Sequence, residues 1–370
     1  MQVGVPKEIK VQEHRVGLTP EAVAAYVSRG HKVIVETQAG LGIGATDEHY
    51  RSAGAEISDT AAEVFEVSDM IVKVKEPQPA EWAMLREGQI LYTYLHLAPD
   101  RPQTDGLIAS GCTAIAYETV TDAVGGLPLL APMSEVAGRL SAQATAWSLE
   151  RHNGGRGLLM GGVPGVAPAQ VSIIGGGVVG TNAARIALGM GAEVTILDRS
   201  LARLKQLDEM FDGRIRTLYA TNHSTENAVL ESDAVVGAVL IPGKAAPKLV
   251  TRDMLSRMRS GAVLVDVAID QGGCFETSRA TTHADPTYEV DGIVHYCVAN
   301  MPGAVPRTSS YALGNATLSH GLALADQGLE ALADPHLRAG LNVHRGQITN
   351  AAVGESLDLP SIDPERAIAA

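Results

Sequence analysis

The chain has 370 residues, 45% of them hydrophobic and 4% aromatic, a length that suits two domains each able to bury a core. Its 29 basic residues against 42 acidic ones leave a formal charge of −13, which argues against a surface that tracks nucleic-acid phosphates or an anionic membrane. The 3 cysteines, Cys112, Cys274 and Cys297, lack CxxC spacing and read as small hydrophobes in a reducing compartment; with no apolar run of the ~18–20 residues that span a membrane, the expected location is the cytoplasm.

From the N-terminus, short β-rich runs alternate with helical ones: QVGVP, TPEAVAAYVSRG, HKVIVE, TAAEVFEVS and DMIVKVK. This rhythm predicts a parallel sheet with helices on its faces. Thr19 is suited to cap the first helix, Pro20 to its first turn, where a missing N–H costs nothing, and Gly30 to its end. QILYTYLHL reads as the next strand, followed by a helix to about residue 109 and the strand CTAIAYE.

The segment MSEVAGRLSAQATAWSLERHNGG then reads as a long helix joining two domains, with Ser134 as N-cap and the glycines after Asn153 as its stop. After the Gly- and Pro-rich GGVPGVAPAQ, a second alternating series runs VSIIGGG, AEVTILD, RIRTLY, DAVVGAVL, AVLVDVAID and IVHYCVAN, with helices between. From VPRTSSYALGNATL onward the pattern is helical with no strand of its own, and the economical arrangement packs this tail on the first domain. The closing DLPSIDPERAIAA reads as a loosely held surface segment.

VSIIGGGVVG carries Gly175, Gly177 and Gly180 in GxGxxG spacing, directly after an apolar strand and directly before a helical run. The first glycine permits the tight turn, the second lets backbone approach a pyrophosphate, and the third lets helix pack on strand. The helix N-terminus then offers free N–H groups to the anion. The next strand ends at Asp198, 18 residues past Gly180 (198 minus 180). A carboxylate there accepts ribose hydroxyls and repels a 2′-phosphate, so NAD is favoured over NADP, although Arg199 beside it softens that preference. The expected fold is therefore α/β, with two doubly wound Rossmann-like domains of parallel sheet, a cleft between them, and long helices joining them. Residues 1–128 with 306–370 form the expected substrate domain, and residues 129–305 the NAD-binding domain.

In an open parallel sheet, ligands gather at the carboxyl ends of the strands. Arg15 follows the first strand, Lys73 and Lys75 close DMIVKVK on one face, His96 closes LYTYLHLA, and Glu118 ends the strand after it. Each also has a plainer reading: Arg15 and Lys75 as solvated rim charges, Glu118 as the partner of either, His96 as a core imidazole bonded to a carbonyl. Together they put a guanidinium, an amine and an imidazole at one sheet edge, which is what a small oxo or amino acid requires. In the second domain, Asp270 ends an apolar strand before two glycines, Asp266 reads as a hydrogen-bonded structural residue, and Asn300 and Met301 offer an amide and a soft apolar surface suited to a nicotinamide.

The stretches MQVGVPKEIKVQEHRVGLTPEAV, IVKVKEP, LYTYLHLA, LPLLAPMSEVAGRL, VSIIGGGVVGTNAARIALGMGAEVTILD, GAVLVDVAIDQGGCFETSRATTH and YCVANMPGAVPRTSSYAL resemble the alanine dehydrogenase family, in order and along essentially the whole chain. The resemblance implies reversible oxidative deamination of L-alanine to pyruvate and ammonium, with NAD accepting the hydride, in a homohexamer. It implies that Arg15 and Lys75 hold the substrate, that His96 is the acid/base at the substrate oxygen, and that Asp270 assists proton transfer. It places Ser134, Val178, Val179, Asp198, Arg203, Val239, Leu240, Val267, Ala268, Ile269, Asp270, Arg279, Val298, Ala299, Asn300 and Met301 around the NAD. Two departures matter: Ala220 stands where some relatives have a serine near the adenosine, and Ala323 and Gln327 stand where some carry a Glu and a His seen with a divalent ion, so no metal is expected. The same family resembles the soluble NAD-binding subunit of proton-translocating transhydrogenase, in which the TYLHLA histidine is not expected. A saccharopine-type dehydrogenase, handling a larger amino acid in a related two-domain fold, and a catalytically silent NAD-binding protein also fit the glycine motif with Asp198.

Overall fold

The computed structural model describes residues 1–239 and 246–369. Among them the strands are β1 (Gln2–Val5), β2 (Lys32–Glu36), β3 (Glu56–Ser58), β4 (Met70–Val72), β5 (Ile90–Thr93), β6 (Thr113–Ala116), β7 (Gln170–Ile174), β8 (Glu193–Asp198), β9 (Arg216–Tyr219), β10 (Ala234–Gly237), β11 (Val263–Asp266), β12 (Thr287–Val290), β13 (Ile293–Tyr296), β14 (Leu341–His344) and β15 (Gln347–Ile348). They form two sheets in two compact units, one of Met1–Met133 with the chain from Val305 onward, the other of Ser134–Ala304.

The first sheet has the order β15-β14-β6-β5-β4-β1-β2-β3, parallel from β6 through β3. Its helices begin as the local chemistry dictates. In Pro20–Ser28 the Thr19 hydroxyl accepts the Ala22 N–H, Pro20 fills the first turn, and Gly30 leaves the helix at φ 84°. The buried Ala22, Val23 and Tyr26 form its inner face. Phe65, Ile71, Leu91, Leu107, Ala114 and Val343 share one core, so strands and tail bury each other.

That last residue corrects an expectation, because the tail is not wholly helical. β14 pairs antiparallel with β6, and β15 with β14, through a turn in which Arg345 and Gly346 take φ of 46° and 77°. Leu341 and Val343 are buried because β14 is paired on both sides, with β6 and with the edge strand β15. The closing segment is docked as well: Ser361 bridges to Ile348, the Ile362 N–H donates to the Ile348 carbonyl at 2.9 Å, and Pro364–Ala369 is a helix.

The second sheet has the order β12-β13-β11-β10-β7-β8-β9, parallel except for the β12–β13 hairpin, which the sequence did not announce. Both of its faces are covered. Ile173 and Val236 point into one core with Ala183 and Ala187 of helix Val178–Gly189, whereas the adjacent Ile174 and Val235 point into another with Leu255 and Leu264. Each buried Val, Ile or Leu among them contributes ~1.5–3 kcal/mol of burial.

Helix Ala131–Ser148 contains the point where the two units divide. It starts earlier than expected, so Ser134 lies inside its first turn and is not the N-cap. The Ala131 N–H already donates to the Leu127 carbonyl, and Pro132 is tolerated so close to the start.

Candidate active site

Four expected groups lie just past the carboxyl ends of neighbouring parallel strands. The strands are shorter than the apolar runs suggested: β4 stops at Val72, β5 at Thr93 and β6 at Ala116. Lys75 and His96 are therefore loop residues and Glu118 lies in the 3₁₀ turn Tyr117–Thr119, which corrects the strand-end placement without moving them off the sheet edge. Cross-links tie these loops together. The Tyr117 hydroxyl donates to Lys73 O at 3.0 Å, the Thr93 hydroxyl to Lys75 O at 3.0 Å, and the Gln103 amide to Leu95 O at 2.8 Å.

Arg15 is buried, and its planar fork is held by Glu13: Nε donates to Oε1 at 2.7 Å and Nη2 to Oε2 at 2.5 Å. Nη1 lies 3.2 Å from Met133 Sδ. Burial opposes the cation, but the bonds to Glu13 outweigh it and raise its pKa above the ordinary value. Lys75 Nζ lies 3.5 Å from Glu76 Oε2, and Glu76 also pairs with Lys10. Burial of Glu76 is overcome by Lys75 and Lys10, which hold its carboxyl below the ordinary range, so the amine faces a carboxylate.

His96 is exposed and takes φ 50°, a left-handed conformation uncommon for a residue with a Cβ. Glu118 over-determines it. Its carboxylate accepts the Leu95 N–H at 3.2 Å and the His96 N–H at 2.6 Å, and its Oε1 lies 3.9 Å from His96 Nδ1. The imidazole stacks on Tyr94 with centroids 5.7 Å apart and planes 6° off parallel, and Tyr94 is anchored by its hydroxyl to Leu129 O at 2.6 Å. The ring is thus aimed by a strained backbone and a stacking partner, the sort of pre-organisation that functional side chains show.

In the other unit β7 runs into Gly175, Gly176 and Gly177, and helix Val178–Gly189 follows. Gly175 takes φ 105°, and a Cβ at Gly180 would sit 1.8 Å from Gly175 O, so the turn and the close helix packing both require glycine. A Cβ at Gly177 would meet nothing within 4 Å, and no side chain caps the helix there. Open space before uncapped N–H groups is the shape a pyrophosphate fills.

Asp198 ends β8 and braces this loop: one oxygen accepts the Gly176 N–H at 2.8 Å, the other the Ser200 N–H at 2.8 Å. Arg203 spans it from the next helix, donating to Gly176 O at 2.7 Å and to the Thr181 hydroxyl at 2.7 Å. Val178 is exposed, Val179 packs partly against the core, and Val239 lies past β10 against the glycine turn; Leu240 is outside the described residues.

Val267, Ala268, Ile269 and Asp270 lie in the 3₁₀ turn Val267–Gln271, so Asp270 is not the end of a strand but an exposed residue of that turn. Asp266 caps the turn through the Ala268 N–H at 3.1 Å and gathers the Cys274 N–H at 2.9 Å and the Ser278 hydroxyl at 2.5 Å. Burial pushes the Asp266 carboxyl up, and those bonds pull it part of the way back. The Arg279 guanidinium lies 4.0 Å from the centroid of the Tyr288 ring. Val298 and Met301 are buried, Ala299 donates its N–H to Thr281 O at 3.2 Å, and Asn300 takes φ 60° with its carbonyl 3.2 Å from His283 Nε2.

Sequence reasoning missed Glu13, Tyr94 and Glu76. Tyr94 was reachable, since it sits two positions before His96 on the same alternating face; nothing in the sequence marked Glu13 as the clamp on Arg15. Among the described residues no cluster of three or more His, Cys, Asp or Glu is arranged to hold a metal ion, and no helix is long and apolar enough to cross a membrane.

A glycine turn between strand and helix, a carboxylate closing the next strand, and a second parallel sheet bearing cation and imidazole together define a two-domain Rossmann-like nucleotide-binding protein. The chain belongs to the alanine dehydrogenase/PNT family: residues 4–137 match its N-terminal domain and residues 141–351 its C-terminal domain. It is 60% identical over 365 residues to the alanine dehydrogenase of Halomonas elongata, covering 98% of each chain, and 53% identical over 371 residues to that of Mycobacterium tuberculosis, covering 100% of each. It superposes on a solved L-alanine dehydrogenase with a TM-score of 0.94 at 52% identity, covering 97% of this chain and 99% of the other. A solved transhydrogenase from Sinorhizobium meliloti gives 0.82 at 26% identity, covering 95% of this chain and 100% of the other.

Proposed function

We propose that the chain catalyses the reversible NAD-dependent oxidative deamination of L-alanine to pyruvate and ammonium. The observation that carries this is the identity of 53% and 60% with alanine dehydrogenases over essentially their whole lengths. A transhydrogenase subunit has 26% identity in its support, and that role leaves the constrained imidazole of His96 without a task.

Nucleotide binding falls to the unit Ser134–Ala304 and substrate binding to the other. The open space over Gly177 and the N–H groups of the helix that begins at Val178 would hold the pyrophosphate. Each Asp198 oxygen accepts one backbone N–H and keeps a lone pair for a ribose hydroxyl, while its charge disfavours a 2′-phosphate. The 267–270 turn, Arg279 and the 298–301 segment would complete the contacts, with Asn300 and Met301 the residues suited to the nicotinamide.

NAD, when bound, takes the hydride from the substrate Cα. Arg15 and Lys75 hold the carboxylate and the oxo group and fix Cα, and Glu13, by clamping the Nε–Nη2 edge of Arg15, fixes the plane of its guanidinium. Losing hydride from Cα is favourable when the amine is neutral, so a base must take a proton first. His96 takes and returns the proton at the substrate oxygen as the imine meets water, and Asp270 relays protons to water or ammonia.

Steady-state NADH formation from NAD and L-alanine at alkaline pH, with L-lysine, L-serine and glycine in parallel, tests the activity. NAD binding without turnover on any of them would overturn it, and turnover on L-lysine alone would favour a saccharopine-type dehydrogenase. A cytoplasmic homohexamer is the assembly the family resemblance suggests; sedimentation velocity giving a monomer would refute it.

A further inference from the structure

The stretch KVKEPQ, residues 73–78, leads from β4 to the helix Pro79–Trp82 and carries Lys75 in its middle. Its backbone is held by charges that the proposed chemistry does not use. Lys73 is completely buried, with Nζ 3.0 Å from Glu8 Oε2 and 2.6 Å from Glu81 Oε1. The remaining oxygen of Glu8 accepts the N–H of Val74 at 2.7 Å and of Lys75 at 3.3 Å, and that of Glu81 accepts the Gln78 N–H at 2.7 Å. Each carboxylate therefore gives one oxygen to Lys73 and the other to the loop, at Lys75 and beyond it.

Such a cluster is a poor source of stability. Taking a cation and two carboxylates out of water costs about what their attraction returns, and apolar residues of the same volume do as well. It is a good source of definition, because each charge has one low-energy arrangement of its bonds. Lys75 needs that definition: its ion pair with Glu76 is long at 3.5 Å, so the placement of its ammonium depends on the backbone beneath it.

We propose that Glu8, held by Lys73, which Glu81 pairs in turn, is a positioning residue that fixes the backbone of Lys75 and thereby the ammonium group that meets the substrate. The proposal rests on the substrate-binding role given to Lys75 above. Removing the Glu8 carboxylate leaves Lys73 and Glu81 as a one-to-one pair, so a variant at Glu8 strands no buried cation.

The test uses the full-length protein and three variants, Glu8→Gln, Glu8→Met and Lys75→Gln, with KM for pyruvate, kcat, and NADH affinity by fluorescence. Glu8→Met loses the acceptor and is expected to raise KM by about tenfold, the worth of one charge-assisted hydrogen bond, with NADH affinity unchanged. Glu8→Gln keeps an acceptor oxygen and is expected to restore KM to within about threefold of the wild type. A Glu8→Met enzyme with wild-type KM, or a Glu8→Gln enzyme as impaired as Glu8→Met, overturns the positioning role. If Lys75→Gln itself leaves KM unchanged, it is the role of Lys75 that fails. Should Glu8→Met not fold, Glu8→Asp, whose carboxylate is one methylene too short to keep both Lys73 and the loop N–H groups, carries the test: a raised KM for pyruvate with unchanged NADH affinity supports the proposal, and a wild-type KM overturns it.

Discussion

Gly177→Ala separates nucleotide binding from folding more cleanly than any other substitution in the glycine turn. Gly177 has φ −69° and ψ −160°, values alanine adopts, and its added Cβ meets nothing within 4 Å. Losing a glycine from the unfolded chain stabilises by ~0.4–1 kcal/mol, and exchanging glycine for alanine at an N-cap costs about as much, so the nucleotide-free protein should melt within about 2 °C of the wild type. On the proposed assignment the same methyl would stand where the pyrophosphate comes closest. One lost amide-to-phosphate bond is worth ~1.5–3 kcal/mol, which weakens NADH binding roughly 10- to 100-fold. Gly180→Ala is the control with the opposite signature: its Cβ would lie 1.8 Å from Gly175 O, overpacking that costs ~1–3 kcal/mol and lowers the melting temperature before any nucleotide is added. Calorimetric melting and fluorescence titration with NADH on both variants decide the matter. A Gly177→Ala protein that binds NADH within twofold of the wild type would refute the assignment of that space to the pyrophosphate.

Other outcomes follow from named contacts. His96→Ala should lower kcat by about 10²- to 10⁴-fold with unchanged NADH affinity; full turnover would remove the acid/base role. Asp198→Asn keeps an acceptor for Gly176 N–H but loses the charge, so the preference for NAD over NADP should fall by about tenfold; an unchanged ratio would move the discrimination elsewhere. Burial pushes the Cys112 and Cys297 thiols up to about 11 and raises the Tyr26 and Tyr94 phenols as well. An unfolded thiol ionises near 9.0 while the folded one keeps its proton, so stability should fall as pH rises from about 9 to 11. Urea titrations at pH 8 and pH 10.5 measure the slope, and a rise in stability would contradict the burial of these groups.

The parts of the fold that the sequence made legible are those governed by local periodicity. The strand–Gly175–Gly177–Gly180–helix unit and Asp198 at the close of the following strand depend on neighbours within a few tens of residues, and their chemistry is carried by residue type alone. Long-range pairing was not legible. LNVH, residues 341–344, is a strand because it meets Ile115 and Ala114, more than two hundred positions earlier, and nothing within four residues of it requires that partner. The expected strand ends at Lys75 and His96 overran the true ones at Val72 and Thr93, because apolar periodicity continues into loops that are buried by other means: Leu95 and Leu97 are core residues although β5 has ended. At the site, the residue types were readable and their restraints were not. Glu118 holds His96 across 22 positions and Glu8 holds Lys75 across 67, distances at which sequence spacing carries no geometry.

The proposed reaction turns on one transfer, hydride leaving the α-carbon of L-alanine for the nicotinamide, and that hydrogen can be followed. Turnover of L-[2-²H]alanine with unlabelled NAD, read by mass spectrometry of the reduced nucleotide, should place deuterium on the nicotinamide ring in step with pyruvate formation. Pyruvate formed while the deuterium appears in solvent water and none in the nucleotide would contradict it.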